Sequence, residues 1–347
     1  MQRFEQYKDN NTIYLFKDKV TRKTCDKNNE TILHTSSQDY KASCIKCNRP
    51  KCHYLQEKSI IISDLENFSF DKDIYNCPVD AITINKGYPS IDNEKCILCG
   101  LCVVHCPTGA IYYNKKTKKM SINTDITDII YQVDSSKNNI ETQEHQIQQL
   151  AILAQNNPFQ DISEKMLKSI QDKLLKVDSE YHNKIVRNLL IGLGCKATYP
   201  RKGDVGNRMD GIFKTQDGYI GVLEVEFGTD SLSAARGLLD DIAMLQYKQK
   251  IDKVSISPLA VLASMPNNRQ DYWNVIYDVK EITGVTIHTM TICSLMILLW
   301  NKMSIDLINN PYYADMKNPS IRESLEKNIN KKIEIPYGYL GILEPEK

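Results

Sequence analysis

Apolar residues alternate with polar ones in a few short stretches and recur with helical period in longer ones, and their order divides the chain. Near the amino terminus only Thr12-Ile-Tyr-Leu-Phe16 alternates, in a polar, lysine-rich region (1–43) that shows no chemistry. The pieces Thr83-Ile-Asn-Lys-Gly-Tyr88 and Tyr112-Tyr-Asn-Lys-Lys-Thr117 are each strand-like with a polar turn. Upstream of both, the apolar run Ser59-Ile-Ile-Ile62 is expected to pack on the same amino-terminal domain. After Ile122 the chain turns polar, as in Asp134-Ser-Ser-Lys-Asn-Asn139, which marks a domain boundary. A helical stretch begins near Glu144, breaks at Asn157-Pro158, and resumes from Ile162 to Val177 with Ile162, Met166, Leu167, Ile170, Leu174 and Leu175 apolar; it could bridge two domains.

Further on, Asp178-Ser179 can cap a helix running to Leu193, with Tyr181, Ile185 and Leu189 on one stripe. Glu180, Lys184 and Arg187 share another face of that helix. Next come a loop (198–207), the segment Arg208-Met-Asp210-Gly-Ile-Phe213, a turn at Gln216-Asp-Gly218, and the strand-like Tyr219–Gly228. In that strand Leu223, Val225 and Phe227 point one way and Glu224 and Glu226 the other, because side chains alternate with period two. A helix over Ser231–Leu239, strands at Leu259–Ser264 and Gly284–Thr289, and a helix over Ile292–Met303 complete the pattern.

The 347 residues suggest two domains, and a net charge of +1 gives no global pull towards nucleic acid, so any such binding needs a local patch. The longest apolar run, Leu295–Trp300, is far short of a membrane span and reads as a buried helix. The opening Met1-Gln-Arg-Phe-Glu-Gln lacks the features of a signal peptide, so the expectation is a soluble protein of the reducing cytoplasm.

The sharpest chemistry lies in Cys96-Ile-Leu-Cys99-Gly-Leu-Cys102-Val-Val-His-Cys106-Pro107. This is a C-x2-C-x2-C-x3-C-P run, whose tight loop can wrap three sulphurs around one face of an iron–sulphur cubane. Zinc prefers two C-x2-C pairs well separated, and disulphides need an oxidising compartment, so both fit the spacing less well. Cys77-Pro-Val-Asp-Ala-Ile82 recurs as Cys106-Pro-Thr-Gly-Ala-Ile111, a duplication at a distance of 29 residues, and Cys44, Cys47 and Cys52 lie upstream. The region resembles a bacterial-type ferredoxin with two [4Fe-4S] clusters. The resemblance implies that Cys96, Cys99, Cys102 and Cys77 hold one cluster, and Cys44, Cys47, Cys52 and Cys106 the other. The first half departs from the pattern, with four residues between Cys47 and Cys52 and 24 between Cys52 and Cys77. Cys25, Cys195 and Cys293 are left over as small core or surface residues.

Two carboxylates on one strand face repel each other unless a cation accompanies them, and Asp210 on the preceding strand is a natural third. Asp-x13-Glu-x-Glu across a hairpin, preceded by the helix with Glu180 and followed by another helix, resembles the PD-(D/E)XK nuclease superfamily of restriction endonucleases and RecB-like exonucleases. Glu226 stands where that superfamily usually has Lys. The resemblance implies that Asp210, Glu224 and Glu226 hold Mg²⁺ or Mn²⁺, with Glu226 as a second-ion ligand or proton acceptor and Glu180 completing the acidic cluster. The alternative is a solvated acidic strand face with a turn at Asp210-Gly211. Arg201, Lys202, Arg208 and Arg236 could contact phosphate or form a solvated basic loop. His145, His182 and His288 are scattered and read as ordinary residues.

The expected architecture is an α+β ferredoxin-like 2[4Fe-4S] domain (44–122), a linker with helices (123–177), and an α/β restriction-endonuclease-like domain (178–347) with a central mixed sheet flanked by helices. The expected function is an iron–sulphur DNA endonuclease serving restriction or defence, its clusters structural or redox-sensing. Its expected partners are DNA and a second copy of the chain, without a membrane. The rival is a ferredoxin-type electron-transfer protein whose second domain docks a partner.

Overall fold

The computed structural model describes residues 12–13, 44, 49–66, 68–106, 110–114, 117–122, 131–132, 164–204, 209–252 and 255–346. Tyr14–Phe16, Cys25, Cys47, the polar run 134–139, His145, the helix expected from Glu144, Ile162 and Arg208 lie outside the described residues. The chain forms two compact units, Met1–Leu55 with Tyr75–Gln160, and Gln56–Ile74 with Asp161–Lys347. The interval between Cys52 and Cys77 therefore sends Gln56–Ile74 into the carboxy-terminal unit, and Ser59–Ile62 groups there instead of with the cysteines.

The amino-terminal unit is built on the duplication. A two-residue pairing, β1 (Thr12–Ile13) with β6 (Tyr131–Gln132), is antiparallel. After Cys77-Pro78, β2 (Ile82–Asn85) and β3 (Tyr88–Ile91) form an antiparallel hairpin. Its turn is Lys86-Gly87, both at positive φ (49° and 83°), the backbone that two-residue hairpin turns demand. After Cys106, β4 (Ile111–Asn114) and β5 (Lys119–Ile122) repeat the hairpin, with the Asn114 side chain accepting from Thr117 N–H at its turn. Between the hairpins lies the one-turn helix α1 (Leu101–Val104).

The carboxy-terminal unit is a five-stranded mixed sheet in the order β11-β10-β9-β8-β7. Helix α2 (Glu164–Leu174) buries Met166, Leu167, Ile170 and Leu174, while Leu175 stays exposed. Gln171 of α2 donates to Leu340 O, and Tyr339 donates to Glu164 O, so α2 packs within this unit instead of bridging. Asp178 makes no side-chain cap; the chain enters α3 (His182–Gly192) through a 3-10 turn, Ser179–Tyr181. Strands β7 (Lys196–Thr198), β8 (Gly211–Lys214) and β9 (Ile220–Glu226) are antiparallel neighbours, and Gly218 (φ +94°) makes the turn between the last two.

Helix α4 (Ser231–Lys248) is longer than its sequence pattern suggests, and Asp230 caps it by accepting from Ser233 N–H at 3.2 Å. Strand β10 (Leu259–Leu262) then lies parallel to β9. Helix α5 (Tyr272–Thr283), absent from the sequence expectation, ends at Gly284 (φ +70°), and β11 (His288–Thr291) lies parallel to β10. Helix α6 (Ile292–Trp300) opens with a Thr291–Ser294 capping box and buries every one of its residues, as its unbroken apolar run requires. Helix α7 (Arg322–Ile329) follows, fixed by Arg322 pairing with the buried Glu344 at 2.6 Å. Among the described residues, no helix is long and apolar enough to cross a membrane.

Candidate functional sites

In the amino-terminal unit the loop before α1 is shaped by its backbone. Asp92 closes it by accepting from Glu94 and Lys95 N–H at its side chain and from Cys96 N–H at its carbonyl. Leu98 and Gly100 both adopt left-handed φ (62° and 83°), which turns the chain tightly between Cys96 and Cys102. Gly100 O then accepts from Val103 and Val104 N–H, starting the helix that carries Cys102. Cys44, Cys52, Cys96, Cys99 and Cys102 are buried, and Cys77 and Cys106 half-buried.

Burial pushes the Cys99 thiol up, and the neighbouring Cys77 and Cys96 push it further. Burial also raises Cys102, followed by Cys99, Cys96, Cys77 and Cys52. The fold therefore gathers Cys77, Cys96, Cys99 and Cys102 into one buried neighbourhood, with Cys52 beside it. Buried thiolates this close are unstable without positive charge among them, so the donor set suits a thiolate-bound cluster. Ala81 N–H points at Cys77 Sγ (3.1 Å), a bond that stabilises the thiolate form. Cys44, Cys52 and Cys106 are described members of the other expected set; Cys47 is not described.

In the carboxy-terminal unit, Asp210 sits just before β8, where Oδ1 accepts from Asn183 of α3 (3.0 Å) and Oδ2 from Val225 N–H (2.9 Å). Burial raises its pKa, opposed by those two hydrogen bonds. Glu224, one residue earlier on β9, lies against Gly237 of α4, where a Cβ would come within 2.9 Å of its carboxyl carbon. Helix α4 thus leaves room for the Glu224 carboxyl group at Gly237. Glu226 instead turns back and accepts from Gly228 N–H. Glu180 is exposed on the 3-10 turn, and the α3 residue that reaches Asp210 is Asn183.

Sequence reasoning missed Asp241 of α4, which is 5% exposed and hydrogen-bonded to Glu224. Burial first, then Asp210 and Asp241, raise Glu224 well above the carboxylate range, and burial raises Asp241 too. A proton held between the two would sit on Glu224, the more strongly raised of the pair. The signal was present: Ser231, Ala234, Ala235, Leu238, Asp241, Ile242 and Leu245 recur at helical spacing, so Asp241 falls on the buried stripe. Among the described residues no three His, Cys, Asp or Glu side chains converge on a point that could hold a single metal ion. Asp210 and Glu224 are neighbours, but Glu226 and Glu180 do not join them.

Lys184 and Arg187, expected on one helix face with Glu180, are buried at 6% and 0% exposure. Lys184 pairs with Asp73 at 2.7 Å, and Arg187 donates from Nε to Asn188 Oδ1 and stacks over Tyr199, 4.7 Å from the ring centre. Arg201 and Lys202 are exposed, and His182 packs on Phe227.

Residues 89–112, which span the four-cysteine run, match the family of 4Fe-4S binding domains. An uncharacterized ferredoxin of Methanocaldococcus jannaschii is 45% identical over 51 residues, covering 14% of this chain and 34% of that protein. A second uncharacterized ferredoxin of that organism is 46% identical over 43 residues, 12% of this chain and 26% of its own length. The electron transport protein HydN of Escherichia coli is 31% identical over 81 residues, 23% of this chain and 46% of that protein. The chain thus spans less than half the length of each of these relatives, and all three matches are to iron–sulphur or electron-transport proteins.

Proposed function

We propose that the amino-terminal unit, which carries the 4Fe-4S binding domain of residues 89–112, is an electron-transfer module with two [4Fe-4S] clusters. Cys77, Cys96, Cys99 and Cys102 would hold one, and Cys44, Cys47, Cys52 and Cys106 the other. What carries the reading is the neighbourhood of the buried Cys96, Cys99 and Cys102 with the half-buried Cys77, in which Cys77 and Cys96 raise Cys99, and Cys99, Cys96 and Cys77 raise Cys102. Such clusters supply one-electron transfer at a potential set by their thiolates, hydrogen bonds and burial. The chain's own residues exclude water through Ile97, Leu98 and Leu101, each at most 2% exposed, and direct Ala81 N–H to Cys77 Sγ. The similarity to ferredoxins and to an electron transport protein supports electron transfer over a purely structural role.

The test is anaerobic purification followed by iron analysis and electron paramagnetic resonance after dithionite reduction. Brown protein with about eight irons, as two cubanes require, and reversible one-electron reduction are expected. In Cys99→Ser about half the iron should be lost. A colourless protein with stoichiometric zinc would refute the reading.

A second reading for the carboxy-terminal unit is favoured by one observation. Asp210 and Glu224 meet beside the crossing from the antiparallel β7-β8-β9 to the parallel β9-β10-β11. The helix–strand–strand–strand–helix–strand order around them supports reading this unit as a restriction-endonuclease-like domain that would act on DNA as a metal-dependent phosphodiesterase. Asp210 and Glu224 would hold a Mg²⁺ or Mn²⁺, which would supply polarisation of a phosphate and a lowered pKa for attacking water. Asn183 and Val225 N–H would orient Asp210, and Glu226 would accept a proton only after leaving Gly228 N–H. DNA cleavage in Mg²⁺ or Mn²⁺ that Asp210→Ala abolishes is the expected result; no cleavage of any DNA would leave electron transfer with a partner-docking second unit.

A further inference from the structure

The segment Gln56–Ile74 belongs to the carboxy-terminal unit although it lies in sequence between Cys52 and Cys77. Its extended part runs antiparallel to the chain leaving β7. Asp71 N–H donates to Tyr199 O (3.0 Å), Arg201 N–H donates to Ser69 O (2.9 Å), and Phe70 bridges Pro200. Strand β7 is an edge of the sheet, and Thr198 pairs with Ile212 of β8. Tyr199–Arg201 therefore leave the sheet at the end where Asp210 enters it.

A cleft of about 550 Å³ opens there, lined by Phe68, Ser69, Phe70, Asp71, Lys72 and Arg201. That volume falls in the range of small-ligand pockets. Phe68 and Phe70 are half-buried, and Lys72 and Arg201 are exposed. Arg187 is fully buried, and among the described residues its Nη1 and Nη2 have no hydrogen-bond partner. Its guanidinium stacks on Tyr199, whose carbonyl holds Asp71. The buried Lys184 pairs with Asp73. Lys184 is thus paired with Asp73, so the cations that line the cleft are the exposed Lys72 and Arg201, with Asp71 as the one lining carboxylate.

We propose that this cleft binds one nucleotide of a single-stranded nucleic acid, with Phe68 and Phe70 forming the wall against the base and Lys72 and Arg201 holding the flanking phosphates. The inference rests on the phosphodiesterase reading. A duplex keeps its bases stacked and cannot offer a base face to phenylalanine, whereas a single strand can. Asp71 works against phosphate at the cleft wall, so the phosphates take the Lys72 and Arg201 side.

The test uses the full chain, purified anaerobically, in EDTA so that nothing is cleaved. Fluorescence anisotropy is followed with a labelled single-stranded oligodeoxynucleotide, with the matching duplex as competitor and thymidine monophosphate as the free-nucleotide control. Phe68→Ala/Phe70→Ala should weaken single-strand binding about tenfold or more at an unchanged salt slope, because stacking is lost. Lys72→Glu/Arg201→Glu should weaken it and make the salt slope shallower by about 0.7 for each lost phosphate contact. Phe70→Tyr keeps a ring and should bind like wild type, which separates lost stacking from misfolding. Binding unchanged in both double variants overturns the cleft proposal, as does equal affinity for the mononucleotide and the oligonucleotide. Cleavage in Mg²⁺ and its loss in Asp210→Ala are measured separately, so the phosphodiesterase reading can stand while the cleft fails.

Discussion

Asn76 Oδ1 and His105 Nδ1 are 3.0 Å apart and 29 residues apart in sequence, the same interval that separates Cys77 from Cys106. The residue before the Cys-Pro of one repeat is therefore hydrogen-bonded to its counterpart in the other, joining the two halves where they are equivalent. Asn76 is fully buried, and its Nδ2 also donates to Cys52 O at 3.2 Å. One side chain thereby ties together the backbone beside Cys52, Cys77 and Cys106.

Asn76→Ala removes both bonds and leaves buried partners unsatisfied, a cost of about 1–3 kcal/mol. Asn76→Asp keeps the acceptor for His105 but sets a buried carboxylate oxygen against Cys52 O. Both variants are expected to release iron to a chelator faster than wild type. Equal rates for all three would show that the pair does not hold the repeats together.

Gly221 of β9 lies opposite Phe213 of β8, and a Cβ there would meet Phe213 Cζ at 2.0 Å and Ser257 O at 2.6 Å. The ring occupies the space of the missing side chain, and the carbonyl behind it cannot swing away as a flexible side chain could. Gly221→Ala should cost about 1–3 kcal/mol or more by overpacking. Urea unfolding read by tryptophan fluorescence checks it, since both tryptophans of the chain, Trp273 and Trp300, are buried in this unit. A midpoint equal to wild type would contradict it.

His288 at the start of β11 is 4% exposed, its Nδ1 has no partner among the described residues, and burial lowers its pKa to about 4. The unfolded chain takes up this proton near pH 6.5, whereas the folded protein resists it until about 4. The unfolded state thus binds more protons in that window, so stability falls as pH drops from 6.5 towards 4 and levels off below. The span corresponds to about 3 kcal/mol. His288→Leu should flatten this acid limb in tryptophan-monitored unfolding; an unchanged limb would assign it elsewhere.

The cysteine run, the hairpins after each Cys-Pro and the buried apolar helix α6 were legible because each is a local pattern with a local cause. Strand alternation puts Glu224 and Glu226 on one face of β9, but at the end of the strand Glu226 turns back to Gly228 N–H, which the alternation does not encode. The burial of Lys184 and Arg187 was not legible, because the segment that supplies Asp73 to Lys184, Gln56–Ile74, is more than a hundred residues upstream. Asp241 was passed over because the expected helix stopped at Leu239, two residues short of it, whereas the buried stripe through Ala234, Leu238 and Leu245 carries on past it. What the sequence concealed was long-range cover, which no local period encodes.

The Glu224–Asp241 pair makes the last prediction. Both carboxyls have raised pKa values, chiefly from burial and, for Glu224, from Asp210 and Asp241 as well. A carboxyl group raised in the fold binds its proton more tightly there than in the unfolded chain. Its stabilising effect is therefore complete below the unfolded value, near 4.5 for Glu224, and is lost as pH rises through the folded value. In EDTA the carboxy-terminal unit should lose stability from pH 5 towards alkaline pH, opposite in sign to the His288 limb. Glu224→Gln can still donate to Asp241 but cannot ionise, so it should remove much of this slope while leaving the fold intact. If a divalent ion takes the place of the shared proton, Mg²⁺ should restore alkaline stability in wild type and not in Asp210→Ala. A Glu224→Gln protein whose unfolding midpoint follows pH as steeply as wild type would show that the shared proton is elsewhere.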